Sequence, residues 1–434
     1  MRFRQMDYTG WGRVLHASGE VARPERSRAL AALAAEGPAM GNRRSYGDAP
    51  LNGGGRITDM TRMNRILGFD PETGVLHAEA GVTLGELAEI FAPRGWLPPV
   101  MPGTGFATVG GAIAMDVHGK NHQHAGSFGA HVTELELLGP TGARTVTPAD
   151  LPLFRATLGG LGQTGIVASA KIAMQRCKGD VMVMTERRAP DWDGHLALLD
   201  GSDAPYVVGW IDATATGAAL GRGIVEEGET ASGLVARPRA ARRVPFDAPG
   251  AALSPPVVRA FNRAYYARVP KAGRTSVRPI EKLFFPLDKI HDWNRLYGRR
   301  GFHQFQCVVP LAAADALRAM LERVATSGLA SPLAVLKRMG PGRAGFLSFP
   351  MEGYTLAVDF PDRAAARALV GELEAMTEAA GGRIYLAKDS LASGARVRAM
   401  YPELDAWRAA VAEADPDGLY LTDLVRRLGL REAA

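Results

Sequence analysis

PGTGFATVGGAIAMDVHGKNH, residues 102–122, is the stretch on which the fold turns. It mixes glycine with Thr, Asp, Asn and His. Glycine at this density lets backbone approach something closely. The stretch has two companions, GNRRSYGDAPLNGGG at 41–55 and GGLGQTG at 159–165. Successive N–H groups in such loops form nests that bind anions, a pyrophosphate among them, without a helix dipole. Gly160, Gly162 and Gly165 also carry the GxGxxG spacing of a dinucleotide fingerprint. That fingerprint requires a strand before it and a helix after it. Here residues 151–158 read as a helix and IVASAKIAM reads as β-rich, so the Rossmann reading is set aside.

Composition bounds the rest. A chain of 434 residues, 47% hydrophobic and 22% charged, is an ordinary globular protein with room for two to four domains. Two cysteines, Cys177 and Cys307, cannot build a disulfide framework, and no CxxC pattern suggests zinc. No apolar run is long enough to span a membrane, and MRFRQMDYTGWGR lacks the apolar core of a secretory signal. The expected location is cytoplasmic or peripherally membrane-associated. The net charge of +6 is uneven: residues 231–300 hold 15 Lys and Arg against 4 Asp and Glu, densest at ARPRAARR. Such a patch suits a mobile solvated loop, phosphate groups or an anionic membrane surface. No nucleic-acid reader motif accompanies it, and no nucleic-acid partner is expected.

Elsewhere the pattern predicts a helix over 28–36, hairpins over 65–82 and 132–146, and a helix from Thr83 to Gly95 with Thr83 and Glu86 at capping-box spacing. Helices are expected at 314–328 and 363–380, and a strand at TLAVDF (355–360). RIYLAKDS reads as a strand leading into a loop, and the last 40 residues read as mostly helical.

His118, His122, His124 and His131 form the one histidine cluster. The i, i+4 spacing of His118 and His122 could chelate zinc on a helix, yet Gly119 weakens the helix and no placed carboxylate completes a site. We assign no metal; contact with a bound ligand suits these residues better. Cys307, in FQCVVP, reads as a core thiol. No GxSxG motif supports hydrolysis. Lys388, beside Asp389, is open to a surface ion pair or to a site.

These residues resemble a known family. The three glycine stretches, extended through HQHAGSFG, look like the FAD domain of the vanillyl-alcohol-oxidase-type flavoproteins, most similar to their decaprenylphosphoryl-β-D-ribose 2′-oxidase branch. The likeness continues through FFPLDKIHDWNRLYG, FHQFQCVVP, LSFP, VDFP, RIYLAKDS, YPELDAW and DLVRRLGL, nearly the whole chain. It implies an α+β fold: a two-part FAD-binding domain of the PCMH type with an inserted α/β substrate domain. The implied divisions are 1–180, 181–382 and 383–434. The implied reaction oxidises the 2′-hydroxyl of a polyprenylphosphoryl ribose to a ketone, on the way to the arabinose donor of cell-wall arabinan. A separate NAD(P)H-dependent short-chain reductase would finish the epimerisation. Hydride would pass to flavin N5, and a fixed cation or donor would stabilise the charge left on the flavin.

By resemblance, FAD would be held by Gly41, Asn42, Arg43, Arg44, Ser45, Tyr46, Gly47 and Asp48 in the first loop. Gly103, Thr108, Val109, Gly110, Gly111, Met115, Asp116, His118, Gly119 and Asn121 would hold it in the second, with Ile166 and Tyr385 beside them. Lys388, His118 and Tyr46 are the candidates for catalysis, the general base being open among them. Gln304, Lys337, Lys388 and Phe284 match substrate positions. Relatives that bind FAD covalently carry a histidine where Asp48 follows Arg44-Ser45-Tyr46-Gly47, so non-covalent FAD is expected. Ala357 stands where well-known members have cysteine, and Phe284 where they have tyrosine. A soluble sugar, alditol or aldonolactone is the alternative substrate, and a non-catalytic basic binding protein on the same scaffold is a third reading.

Overall fold

The computed structural model describes residues 2–233 and 241–432. Among these, the strands form three main sheets and two short ladders. The first sheet has the order β1 (Arg4–Thr9), β2 (His16–Ala22), β4 (Arg56–Asp59), β3 (Ala39–Met40). β4 runs parallel to both β2 and β3, so β3 ends where the first glycine loop begins. The second sheet has the order β5 (Ile66–Phe69), β6 (Val75–Glu79), β10 (Ile166–Ala173), β8 (Val132–Gly139), β9 (Gly142–Val146). Both expected hairpins, β5–β6 around DPETG and β8–β9 around GPTG, lie in it. β7 (Trp96–Leu97) and β11 (Gln175–Arg176) make a short ladder.

The third sheet is antiparallel throughout. Its order is β16 (Arg274–Pro279), β12 (Val181–Ala189), β14 (Gly223–Ala231), β13 (Tyr206–Ile211), β19 (Ala334–Met339), β20 (Gly353–Pro361), β18 (Phe302–Val309), β21 (Arg383–Ile384). Exposed Arg242–Arg243 (β15) pairs with Ile290–His291 (β17). Most of the basic run ARPRAARR falls on residues 234–240, outside the described residues.

The helices obey their sequence signals. α1 (Ser27–Ala31) is shorter than expected and gives way to turns before Gly37. α2 (Leu84–Phe91) starts with the Thr83–Glu86 capping box, and Gly95 closes the following turn at φ +81°. α3 (Val109–Ala114), α4 (His122–Ala125) and α5 (Leu151–Thr157) flank the second and third glycine stretches. With α5 before and β10 after, the GxGxxG segment sits in no Rossmann context. α6 (Trp192–Asp200), α7 (Pro255–Ala267) and α8 (Glu281–Phe284) precede β18. α9 (Ala314–Ser327), stopped by Gly328 at φ +67°, and α10 (Ala364–Ala379) bury apolar stripes against the third sheet. Cys307 lies fully buried in that core.

One expectation fails locally. RIYLAKDS is a strand only at Arg383–Ile384. The N–H groups of Lys388 and Asp389 turn back onto the carbonyl of Tyr385. The chain folds into a tight turn here because Asp389 accepts the N–H groups of Leu391 and Ala392, a local bond that competes with a strand ladder.

Of the last three helices, α11 (Gly394–Met400), α12 (Leu404–Ala414) and α13 (Asp423–Leu428), α12 packs on α5 and α13 bonds the first glycine loop through Asp423 and Arg427. Trp407 is wholly buried in one core with Ala49, Ala156 and Leu161. Emptying that space with Trp407→Ala costs about 3–5 kcal/mol. No described helix is long and apolar enough to cross a membrane.

Candidate active site

The three glycine stretches meet around one cavity of about 810 Å³. The first loop contributes Gly41 to Tyr46, the second Gly103, Thr108, Gly110, Gly111 and Met115, and the third Gly162 and Gly165. The first loop is built to hold an anion. Among the described residues, the backbone N–H groups of Asn42, Arg43, Arg44 and Ser45 have no protein acceptor, and Arg43 takes a left-handed φ of +50°. That alternation makes a nest. Gly41 packs against Thr108, whose Oγ1 accepts the Gly111 N–H at 3.2 Å; a Cβ at Gly41 would collide with that oxygen. The Arg44 guanidinium lies between the rings of Trp11 (4.2 Å) and Phe106 (4.5 Å). Asp288 braces the second loop by accepting the Gly105 N–H at 2.6 Å. A long cavity with an anion nest and glycine-thinned walls fits a dinucleotide with a pyrophosphate, so the residues present fit FAD.

The first loop is tied to the Lys388 turn. Tyr46 N–H donates to the Ala387 carbonyl at 2.9 Å, and Gly47 lies so close to the Asp389 carbonyl that no side chain fits. These contacts bring Lys388 Nζ over the Tyr46 ring, 3.6 Å from its centre. Lys388 lines the cavity, and among the described residues its Nζ makes no hydrogen bond. Burial pulls its ammonium well below the usual lysine range, while the Asp359 carboxylate opposes this. Asp359, wholly buried, shows the converse: burial raises its carboxyl, and hydrogen bonds from Gln304 and Tyr297, with the Lys388 charge, pull it back. Tyr297 Oη donates to Asp359 at 3.0 Å and Gln304 Nε2 donates to its other oxygen. Burial holds the Tyr46 phenol well above its ordinary range, so it keeps its proton.

A second polar group faces Lys388. His118 is buried, and burial and then the Lys337 charge hold it neutral. Lys337 Nζ lies 3.0 Å from Nδ1. Burial, then Lys120 and Lys388, lowers the Lys337 ammonium to about 7. An imidazole that accepts at Nδ1 carries its proton on Nε2, which lies 3.0 Å from the Gln306 amide. The amide oxygen of Gln306, brought over by a half-turn, is the acceptor that proton needs. Lys120, lowered to about 8 by burial, donates to the carbonyls of Leu283 and Phe284.

The cavity thus gathers Lys388, His118, Tyr46, Gln304, Lys337, Tyr385, Gly119 and most of the glycine-loop residues. Seven expected contacts lie elsewhere. Gly47 is spent on the Asp389 turn. Asp48 is buried in an ion pair with Arg427. Val109 and Ile166 are apolar core. Asp116, at φ +40°, is saturated by Ser127, Gly129, Ala344 and Ser348, and shapes the loop from behind. Asn121 donates to the Pro99 carbonyl at 2.7 Å. Phe284 packs edge-to-face on Tyr206 and beside Phe285 in the core, leaving its neighbour Lys282 on the wall. Sequence reading missed Asp359, Gln306, Tyr297 and Lys120. Gln306 shares a strand face with Gln304 by the period of two, and Asp359 is a charge inside an apolar strand. Both signals were readable.

This fold and site define an FAD-binding oxidoreductase, and the comparisons agree. Residues 28–147 match the model of the FAD binding domain family. The chain is 39% identical over 446 aligned residues, 97% of both chains, to the decaprenylphosphoryl-beta-D-ribose oxidase of Mycolicibacterium smegmatis. It is 37% identical to an uncharacterised protein of the mprA 5′ region in Streptomyces coelicolor, over 80% of this chain and all of that one. A putative D-arabinono-1,4-lactone oxidase of Neurospora crassa is 31% identical over 26% of this chain and 20% of its own. The chain belongs to the family of FAD-dependent oxidoreductases that contains the mycobacterial oxidase.

Proposed function

We propose that this enzyme oxidises the 2′-hydroxyl of a polyprenylphosphoryl-β-D-ribose to the 2′-ketone. The observation that carries the reading is the placing of Lys388, 3.6 Å above Tyr46, in the cavity of the three glycine loops. Bound FAD supplies the hydride acceptor. Lys388 is the base for the hydroxyl proton, because its rivals are engaged: both His118 nitrogens have partners, and Tyr46 stays a phenol. An amine lowered toward neutrality takes that proton near working pH. Asp359 then stabilises the ammonium formed. Gln304 and Lys337 orient the sugar, and Lys337 and Lys120 give the walls positive charge.

The mouth supports a lipid substrate. Val257, Phe261, Ile290 and Leu296 line it and remain exposed, as a prenyl chain would require. The basic 231–300 segment supports contact with an anionic membrane, and a separate NAD(P)H-dependent short-chain reductase would reduce the ketone. We divide the chain into a two-part FAD domain (1–180 and 383–434) and an inserted substrate domain (181–382). The packing of α12 on α5 supports this division. Non-covalent FAD is part of the same proposal, since Asp48 offers no imidazole. Steady-state assays of prenylphosphoryl ribose against free pentoses and aldonolactones test the reading. Preference for a soluble sugar overturns it.

A further inference from the structure

Outside the cavity the structure holds a second ordered row of polar groups. His303 on β18 points away from Gln304 and Gln306 and is buried. Its Nδ1 lies 2.8 Å from Ser390 Oγ and its Nε2 2.8 Å from Asp362 Oδ1. Asp362 is held in turn by Arg367, at 2.7 and 2.8 Å. The order Ser–His–Asp is that of a nucleophilic triad, but the setting excludes that chemistry. Ser390 is buried, and the space beside the row, about 10 Å³, holds at most one water.

What the row does hold is Ser390, two residues beyond Lys388. The turn from Tyr385 to Asp389 is fixed at its start by Tyr385 N–H on the Gln306 carbonyl, 2.9 Å. Ser390 on His303 fixes its end. Gln306 and His303 belong to one strand, so both ends of the turn hang from β18, which also carries Gln304. We propose that His303 is a positioning residue: through Ser390 it sets the place of Lys388 above Tyr46, and so the rate of the oxidation.

Imidazole does this in one proton arrangement. Nε2–H donates to the Asp362 carboxylate, which leaves Nδ1 to accept the Ser390 hydroxyl. Asp362 fixes the tautomer, as a carboxylate does for a histidine that must accept on its other nitrogen. This inference rests on the reading of Lys388 as the base.

The test uses the FAD-loaded protein and farnesylphosphoryl-β-D-ribofuranose, mixed without oxygen. Flavin bleaching gives the reduction rate and the apparent Kd. Ser390→Ala and His303→Gln should slow bleaching about 10- to 100-fold, the usual penalty for a reacting group misplaced by about 1 Å. Their apparent Kd should stay within about twofold of wild type, as expected for an interaction felt only in the transition state. The pH profile of the rate should shift, because Lys388 moves relative to Asp359. His303→Asn puts an amide oxygen where Nδ1 was and should recover most of the rate. Lys388→Ala is the control. If it stops bleaching while Ser390→Ala and His303→Gln match wild type in rate and pH profile, the positioning role is overturned and the base stands. If Lys388→Ala bleaches normally, both fall. If all three clamp variants, His303→Asn included, lose FAD or melting temperature together, His303 supports the fold alone and the proposal is overturned.

Discussion

Arg427 Nε lies 2.7 Å from Oδ2 of Asp48. Its Nη2 reaches the other Asp48 oxygen and Asp389 Oδ2, both at 2.8 Å. One guanidinium from the final helix thus clamps the first glycine loop to the Lys388 turn. Burial raises Asp48 above the usual carboxylate range, and Arg427 offsets part of that rise. Removing one partner of a buried pair leaves a charge unpaired, at about 3–5 kcal/mol. Arg427→Met should therefore lower unfolding stability by about that much and loosen FAD, read by chemical denaturation and by flavin retained on a desalting column. Unchanged stability would mean that the clamp contributes nothing.

The Gly41–Thr108 contact gives a sharper test of the cofactor site. Gly41→Ala would drive a methyl into Thr108 Oγ1, which is held by the Gly111 N–H. FAD content of the purified protein should fall sharply. Gly68→Ala, with open space around it, should leave FAD content unchanged.

Acid precipitation tests the role of Asp48. All flavin colour should move to the supernatant. Colour kept in the pellet would show a covalent bond from another residue.

His195 predicts a pH effect on stability. It is fully buried, its Nδ1 sits 2.9 Å from the Gly221 carbonyl, and Gly209 and Gly223 crowd its ring. Burial lowers it to about 4, against the opposing pull of that carbonyl. Between pH 6.5 and 4 the unfolded chain binds the proton and the folded chain does not, so stability falls as pH falls through this window. The shift amounts to about 3 kcal/mol. His195→Gln should lower stability at neutral pH and flatten the loss between pH 6.5 and 4, measured by denaturation at a series of pH values.

Phe261, half exposed at the mouth, addresses the lipid. Phe261→Ser should raise KM for farnesylphosphoryl ribose about 10-fold, the scale of one lost aromatic contact, with kcat little changed. An equal effect on a phosphoryl ribose without a prenyl chain would place the lipid elsewhere.

Much of this was legible in the chain itself. Turn signals at DPETG and GPTG placed two hairpins, Thr83 and Glu86 opened a helix, and three glycine stretches marked one cavity. Local chemistry decides such features. What escaped depends on distant partners. Asp116 was a cofactor contact by resemblance, yet Ser127, Gly129, Ala344 and Ser348 take both its oxygens. Phe284 shares the wall segment with Lys282 but points inward. RIYLAKDS has strand propensity, and the Asp389 carboxylate overrides it with a turn. Asp359 becomes a partner of Lys388 only when β20 and the turn after β21 come together.

The central claim is oxidation at C2′ of a prenylphosphoryl ribose. The most direct measurement is anaerobic flavin bleaching with farnesylphosphoryl-β-D-ribofuranose carrying deuterium at C2′ or, separately, at C3′. The account predicts bleaching slowed by the C2′ label alone and a 2′-ketone in the product. Bleaching slowed by the C3′ label, or seen with free pentoses and not with the prenylphosphoryl sugar, would contradict it.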